Sequence, residues 1–146
     1  MCIVKKISLK DYKECHEIDL MTINLWTLKQ WENELSKKYV YAFACIKNNQ
    51  IIGICVFQKI FCNAELTYLS IHPNQKRKGL GKKLLKEIFK HCKSFDIERI
   101  LLEVSQNNFA AINFYHSFGF ETIGIRKKYY KDGSNALLQE KKLLKK

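Results

Sequence analysis

The stretch Leu69-Ser70-Ile71-His72-Pro73-Asn74-Gln75-Lys76-Arg77-Lys78-Gly79-Leu80-Gly81-Lys82 decides how this chain folds. Its first residues end a β-rich run over 65–72 that stops at Pro73, which supplies no donor to a strand ladder. Its last residues open a helix over about 79–94, with Leu84, Leu85, Ile88, Phe89 and Cys92 as the apolar stripe. A loop that leaves a strand and enters a helix turns its backbone N–H groups, and the helix's positive end, toward one space. Two glycines let an anion approach the main chain closely, and five basic side chains lie within 76–83. The spacing matches neither the phosphate loop G-x-x-x-x-G-K-S/T nor the dinucleotide turn G-x-G-x-x-G. Alone, Gly-x-Gly reads as a tight structural turn; the basic cluster moves the reading toward an anionic ligand.

Working outward, the 146 residues allow one domain, and a chain of this length buries roughly 70% of the surface its unfolded form exposes. Hydrophobic residues at 47% and aromatics at 12% exclude a disordered chain. The net charge of +12 is lopsided: residues 1–73 carry 9 basic and 7 acidic side chains, residues 74–146 carry 17 and 7. Only Arg77, Arg99 and Arg126 are arginines, whereas nucleic-acid readers favour the guanidinium fork. Direct nucleic-acid binding is therefore not expected. The six cysteines form no C-x-x-C pair, and several lie in apolar runs where Cys packs as a small hydrophobe. The four histidines show no metal-ligand spacing, so no metal is expected. No basic-then-apolar leader and no apolar stretch of membrane-spanning length is present. A soluble, reducing, cytoplasmic setting without a membrane partner is the expectation.

The remaining elements alternate. A strand over 2–7 precedes a helix over about 9–21, with Ser8 as cap and Tyr12, Cys15, Ile18 and Leu20 on its apolar side. Thr27 and Gln30 make a capping-box pattern for a helix to about Lys37. Runs over 39–47 and 50–61 form a hairpin about Asn48-Asn49. A strand over 99–104 and a helix over 108–118, closed by Gly119, follow. Two strands, over about 121–130 and 135–143, flank the Asp132-Gly133 turn. The order β-α-α-β-β-β-α-β-α-β-β predicts a single mixed α/β domain over residues 1–146, with an α+β mixed sheet.

A second constellation is Leu102-Glu103-Val104-Ser105-Gln106-Asn107-Asn108, followed by Ala111 and Tyr115. Glu103 interrupts an apolar strand, as a satisfied structural acid or as a placed base. Asn108 suits a helix N-cap, and Tyr115 shares its helix face two turns on. A third is Arg126-Lys127-Lys128-Tyr129-Tyr130-Lys131-Asp132-Gly133, whose paired tyrosines also fit plain β propensity.

Strand-Pro followed by Q/R-x-x-G-x-G/A at a helix start resembles the acetyl-CoA-binding motif of the GNAT acyltransferases. The resemblance covers nearly the whole chain and is nearest to the ribosomal-protein-alanine N-terminal acetyltransferases, running from Leu69 through Tyr130. It implies the GNAT fold and acetyl-CoA as cosubstrate. It places the coenzyme's diphosphate on the backbone from Arg77 through Lys78, Gly79, Leu80 and Gly81 to Lys82, and its pantetheine arm along Leu69, Ser70 and Ile71. Asn108 is implied as a further coenzyme contact, Glu103 as general base and Tyr115 as general acid. Trp26, Tyr129 and Tyr130 are implied to hold an acceptor peptide. The implied reaction is acetyl transfer to a protein N-terminus, with the N-terminal Ala of a small-subunit ribosomal protein as the best guess. The chain departs from the family pattern at Lys76 (Gln or Arg), Leu25 (often Pro) and Asn135 (often acidic). Lys76 keeps the charge and loses the fork. The alternatives are a GNAT enzyme acting on a small amine, which favours an acidic acceptor pocket, and a non-catalytic acyl-CoA- or RNA-associated partner, as in a tRNA-modifying assembly.

Overall fold

In the computed structural model, residues 2–76 and 78–143 are described. Among them, strands β1 (Ile3–Ile7), β2 (Val40–Lys47), β3 (Gln50–Ile60), β4 (Asn63–Ile71), β5 (Arg99–Ser105), β6 (Glu121–Arg126) and β7 (Ala136–Lys142) form one sheet in the order β1-β2-β3-β4-β5-β7-β6. Helices α1 (Tyr12–Met21), α2 (Leu28–Ser36), α3 (Leu80–Ser94) and α4 (Phe109–His116) complete a mixed α/β fold. Every strand pair is antiparallel except β4–β5.

Local chemistry accounts for these elements. Asn48 and Asn49 both take positive φ (52° and 61°), as a two-residue hairpin turn requires and as Asn tolerates. Thr27 Oγ1 accepts the Gln30 N–H at 3.1 Å and Gln30 Oε1 accepts the Thr27 N–H at 2.8 Å, closing the capping box of α2. The Ile51–Phe57 run is buried throughout because helices cover β3 from both sides. Phe43, Cys55 and Phe57 pack with Leu84, Leu85 and Ile88 of α3. Ala44, Ile54 and Val56 pack with Cys15 and Ile18 of α1 and Trp31 of α2.

A bulge at Thr67 shapes the middle of the sheet. Val56 of β3 pairs with Tyr68 while Phe57 pairs with Leu66, so Thr67 is the extra residue. Its hydroxyl bonds the Val56 carbonyl at 3.3 Å. The insertion reverses the alternation: Leu66 joins the α3-side core, whereas Tyr68 joins the α1–α2 side.

Several boundaries and one buried face differ from the sequence expectation. The helix over 9–21 begins as a 3-10 turn at Leu9–Asp11, where the Asp11 carboxylate accepts the Ser8 N–H at 2.9 Å. Its apolar stripe is also shifted: Leu20 is 54% exposed, and Asp19 is fully buried in its place. The strand over 121–130 stops at Arg126, because Lys128 adopts φ 52° and its N–H bonds the Asn135 side chain. Tyr129 and Tyr130 consequently lie in the loop 127–135, not on a strand, and Asp132-Gly133 is a turn inside that loop.

Thr27→Ala removes the acceptor that starts α2 and is expected to cost about 1 kcal/mol. Urea unfolding at unchanged m-value checks this.

Candidate active site where β4 and β5 part

β4 and β5 pair only over Asn63–Glu65 against Arg99–Leu101 and then diverge. Parallel strands that separate toward their carboxyl ends open a crevice there, with main-chain polar groups left along the edges. A cleft of about 350 Å³ occupies that gap. Its walls are Leu66–Leu69 of β4, Leu102–Ser105 of β5, and Asn108, Ala111 and Tyr115 at α4. Ile23, Leu25 and Tyr130 close its rim.

Glu103 stands in this cleft because β5 alternates: Leu102 and Val104 turn into the core. Its carboxylate lies 3.3 Å from Arg126 Nε, and its side chain is 28% exposed. Tyr115 enters from α4, its ring edge-on to Phe114 and Phe120. Burial pushes its phenol above the ordinary tyrosine value. Among the described residues its hydroxyl has no hydrogen-bond partner. Asn108 caps α4, its Oδ1 accepting the Ala111 N–H at 3.1 Å, which leaves the carboxamide NH₂ as a donor at the cleft. Tyr130 faces the cleft, and burial, then the Glu103 charge, hold its phenol above the usual value. Tyr129 is 53% exposed and stacks edge-on to Tyr130, with the Arg126 guanidinium 5.7 Å from its ring.

Trp26 lies outside the cleft lining. It packs between Trp31 and Tyr68, at ring separations of 4.7 and 5.3 Å, and its neighbours Ile23 and Leu25 face the gap instead. Within 69–71, Leu69 lines the cleft. Ser70 turns to the α1–α2 side, its hydroxyl donating to the Tyr68 hydroxyl at 2.8 Å, and Ile71 packs against the α3-side core.

The basic loop keeps its helix terminus open. Gly79 is the N-cap of α3 at φ 76°, a conformation that suits glycine, and no side chain caps the helix. The first intrahelical bond runs from Lys83 N–H to the Gly79 carbonyl at 3.0 Å, so the N–H groups of Leu80, Gly81 and Lys82 are available to an anion. A Cβ at Gly81 would stand 3.4 Å from Phe114 of α4, which brings this terminus close to the Tyr115 helix. Free main-chain donors at a glycine-led helix terminus are chemically suited to the diphosphate of a coenzyme A thioester. Not every nearby cation joins them. Lys78 Nζ bonds Gln75 at 3.2 Å, and Lys83 Nζ donates to the Cys2 carbonyl at 2.7 Å. Arg77 lies outside the described residues.

Residues that the sequence argument passed over also build the site. Neither Asp19 nor Tyr68 is among the site residues expected from the sequence, and Arg126 is not expected there as the partner of Glu103. Asp19 had a signal: it lies four residues after Cys15 and seven after Tyr12, on their helix face. No cysteine lines the cleft; among the described residues all six are free, and burial raises Cys45 to about 11 and Cys92 to about 12. No helix of the described residues is long and apolar enough to cross a membrane.

Residues 4–120 match the model of the acetyltransferase (GNAT) family. The ribosomal protein bS18-alanine N-acetyltransferase of Haemophilus influenzae is 30% identical over 131 residues, 89% of this chain and 88% of that one. The Escherichia coli K12 protein of the same description is 29% identical over 105 residues, covering 72% and 70%. The crystal structure of the ribosomal-protein-S18-alanine N-acetyltransferase from Escherichia coli superposes with a TM-score of 0.93, at 23% identity, over 100% of this chain and 96% of that one. The PaiA N-acetyltransferase from Thermoplasma acidophilum, solved with coenzyme A, superposes with a TM-score of 0.80 at 20% identity, over 98% and 99%. The chain shares its fold with these enzymes, and the family match over most of its length establishes that it belongs to the GNAT family of acetyl-CoA-dependent N-acetyltransferases.

Proposed function

We propose that this enzyme acetylates a protein N-terminal α-amine, the N-terminal alanine of the small-subunit ribosomal protein bS18, in the cytoplasm. The observation that carries the proposal is that Glu103 and Tyr115 share one cleft with the open edge of β4. The relatives named for bS18-alanine acetylation support the choice of acceptor.

The amine must be neutral to attack. A peptide α-amine with pKa near 8 is roughly 20–25% neutral at pH 7.5, against about 0.1% for a lysine side chain. That difference, about 3 kcal/mol, favours the α-amine. Glu103, directly or through a water, takes the amine proton as the N–C bond forms. Its pair with Arg126 is partly exposed and worth about 0–1 kcal/mol, so the incoming neutral amine displaces it at little cost. A main-chain N–H of β4 near Leu69–Ile71 holds the oxyanion that develops on the thioester carbonyl. Tyr115 gives its proton to the sulfur as the C–S bond breaks. The acetyl group passes directly from sulfur to nitrogen, Glu103 accepting the proton lost by the amine and Tyr115 supplying the one gained by the thiolate, with no cysteine in the cleft lining. The coenzyme's phosphates are held by the N–H groups of Leu80, Gly81 and Lys82, and the Asn108 carboxamide contacts the arm.

Arg126, Lys127, Lys128 and Lys131 give the acceptor loop a positive charge. That disfavours polyamines and aminoglycosides, which are themselves cationic. The acceptor itself is tested by mass spectrometry of peptides varied at positions one to three and incubated with acetyl-CoA. Alanine-initiated peptides acetylated on the α-amine are expected; acetylation confined to lysine side chains or small amines overturns the proposal.

Tyr115→Phe is expected to lower kcat by about 10²–10³-fold with the KM for acetyl-CoA within about threefold, by steady-state kinetics. Burial raises the Tyr115 phenol, so it stays protonated above its ordinary value near 10. kcat/KM should therefore climb with the peptide amine through about pH 7–9 and show no descending limb below about pH 10. Tyr130→Ala is expected to raise the peptide KM about tenfold while calorimetry finds acetyl-CoA binding unchanged.

A further inference from the structure

The connection between α1 and α2, which puts Ile23 and Leu25 on the rim of the cleft, is wound around a single buried carboxylate. Asp19 is fully buried, with no cation against it among the described residues. Its Oδ1 accepts the Leu25 N–H and the Tyr68 hydroxyl, both at 3.0 Å. Its Oδ2 accepts the Trp26 N–H at 2.9 Å and the Trp31 indole N–H at 3.0 Å. The Asp19 carbonyl takes the N–H groups of Thr22 and Asn24, at 3.1 and 2.7 Å. Asn24 reaches its position with φ 54°. The anchor extends into the sheet, because Tyr68 lies next to Leu69 on the cleft strand and accepts from Ser70.

Burial alone would make the Asp19 carboxyl harder to ionise. The hydrogen bonds from Leu25, Trp26, Trp31 and Tyr68 outweigh it and hold the group below the usual aspartate value. An ionised carboxylate is thus stable there without a counter-ion, but only while those donors converge on it. The convergence fixes the connection 22–27 at one height above β4.

The geometry points to Asp19 as the positioning residue of the acceptor wall: it sets where Ile23 and Leu25 stand over the cleft, and so governs acceptor binding without touching the acceptor, the coenzyme or the reacting atoms. This rests on the acceptor entering between the 22–27 connection and the 127–135 loop, as proposed above. An asparagine at position 19 keeps the shape of the side chain, yet its NH₂ faces N–H donors and cannot accept from them.

Asp19→Asn and wild type are compared with an alanine-initiated peptide. The variant is expected to raise the peptide KM about tenfold or more, with kcat within about threefold and the acetyl-CoA Kd within about twofold. Hydrogen exchange of the Leu25 and Trp26 amides should quicken about tenfold or more while that of Leu69 does not. Tyr68→Phe removes one donor and leaves the carboxylate in place; it should show a smaller rise, about threefold, and it stands in if Asp19→Asn does not fold. An unchanged peptide KM in the folded variants, or an equal loss of acetyl-CoA affinity, overturns the assignment. Wild-type enzyme that acetylates lysine peptides or polyamines but no α-amine overturns the acceptor reading alone. The same KM comparison on the acceptor it does use then decides the role of Asp19.

Discussion

The parting of β4 from β5 is the constraint on which the site depends, and it is enforced from the closed end of the gap. Arg99 Nε donates to the Asn63 side chain at 3.1 Å and its Nη1 to Glu140 at 2.7 Å, tying β4, β5 and β7 together where the two strands still pair. The Glu98 N–H bonds the Cys62 carbonyl at 2.7 Å and the Leu143 N–H bonds the Glu98 carbonyl at 2.9 Å, sealing the same end. Beyond Glu65 the Thr67 bulge kinks β4 and adds twist, and pairing with β5 does not resume. The α4 N-terminus lines the gap that this leaves, and the α3 N-terminus approaches α4 through Gly81 and Phe114.

Two carboxylates a short way from this gap show how environment separates roles. Asp19 is enclosed, fully hydrogen-bonded and ionised, and has no capacity left for proton traffic. Glu103 is partly exposed, held by one displaceable guanidinium, and shares its cleft with a phenol that stays protonated. The first suits holding a wall in place and the second suits receiving a proton. Arg126 joins Glu103 to the tyrosine loop, its Nε 3.3 Å from the Glu103 carboxylate and its guanidinium 5.7 Å from the Tyr129 ring.

The excess of positive charge divides among several duties. Lys83 secures the N-terminal strand through Cys2, and Lys141 donates to the Phe118 carbonyl at the end of α4. Lys6 and Lys59 lie over the rings of Tyr41 and Phe95. Lysine here serves as stem and cap as well as counter-charge. At the start of α3, Gly79 leaves the first main-chain N–H groups without a side-chain cap.

Whereas Glu103 and Tyr115 stood out only through the family resemblance, the sequence by itself determined the element order, the capping box at Thr27, the two-asparagine hairpin and the glycine-led entrance to α3. These are local: each rests on spacing within a turn or a strand, or on backbone preferences a few residues wide. Only the tertiary structure decided where β4 leaves β5, because a bulge and a strand divergence are settled by packing against other elements. It also took Trp26 out of the cleft, moved Tyr129 and Tyr130 from strand to loop, and exchanged Leu20 for Asp19 on the buried face of α1. A carboxylate can occupy an apolar stripe only when donors from distant segments meet it. That meeting of Leu25, Trp26, Trp31 and Tyr68 exists only once the chain has folded.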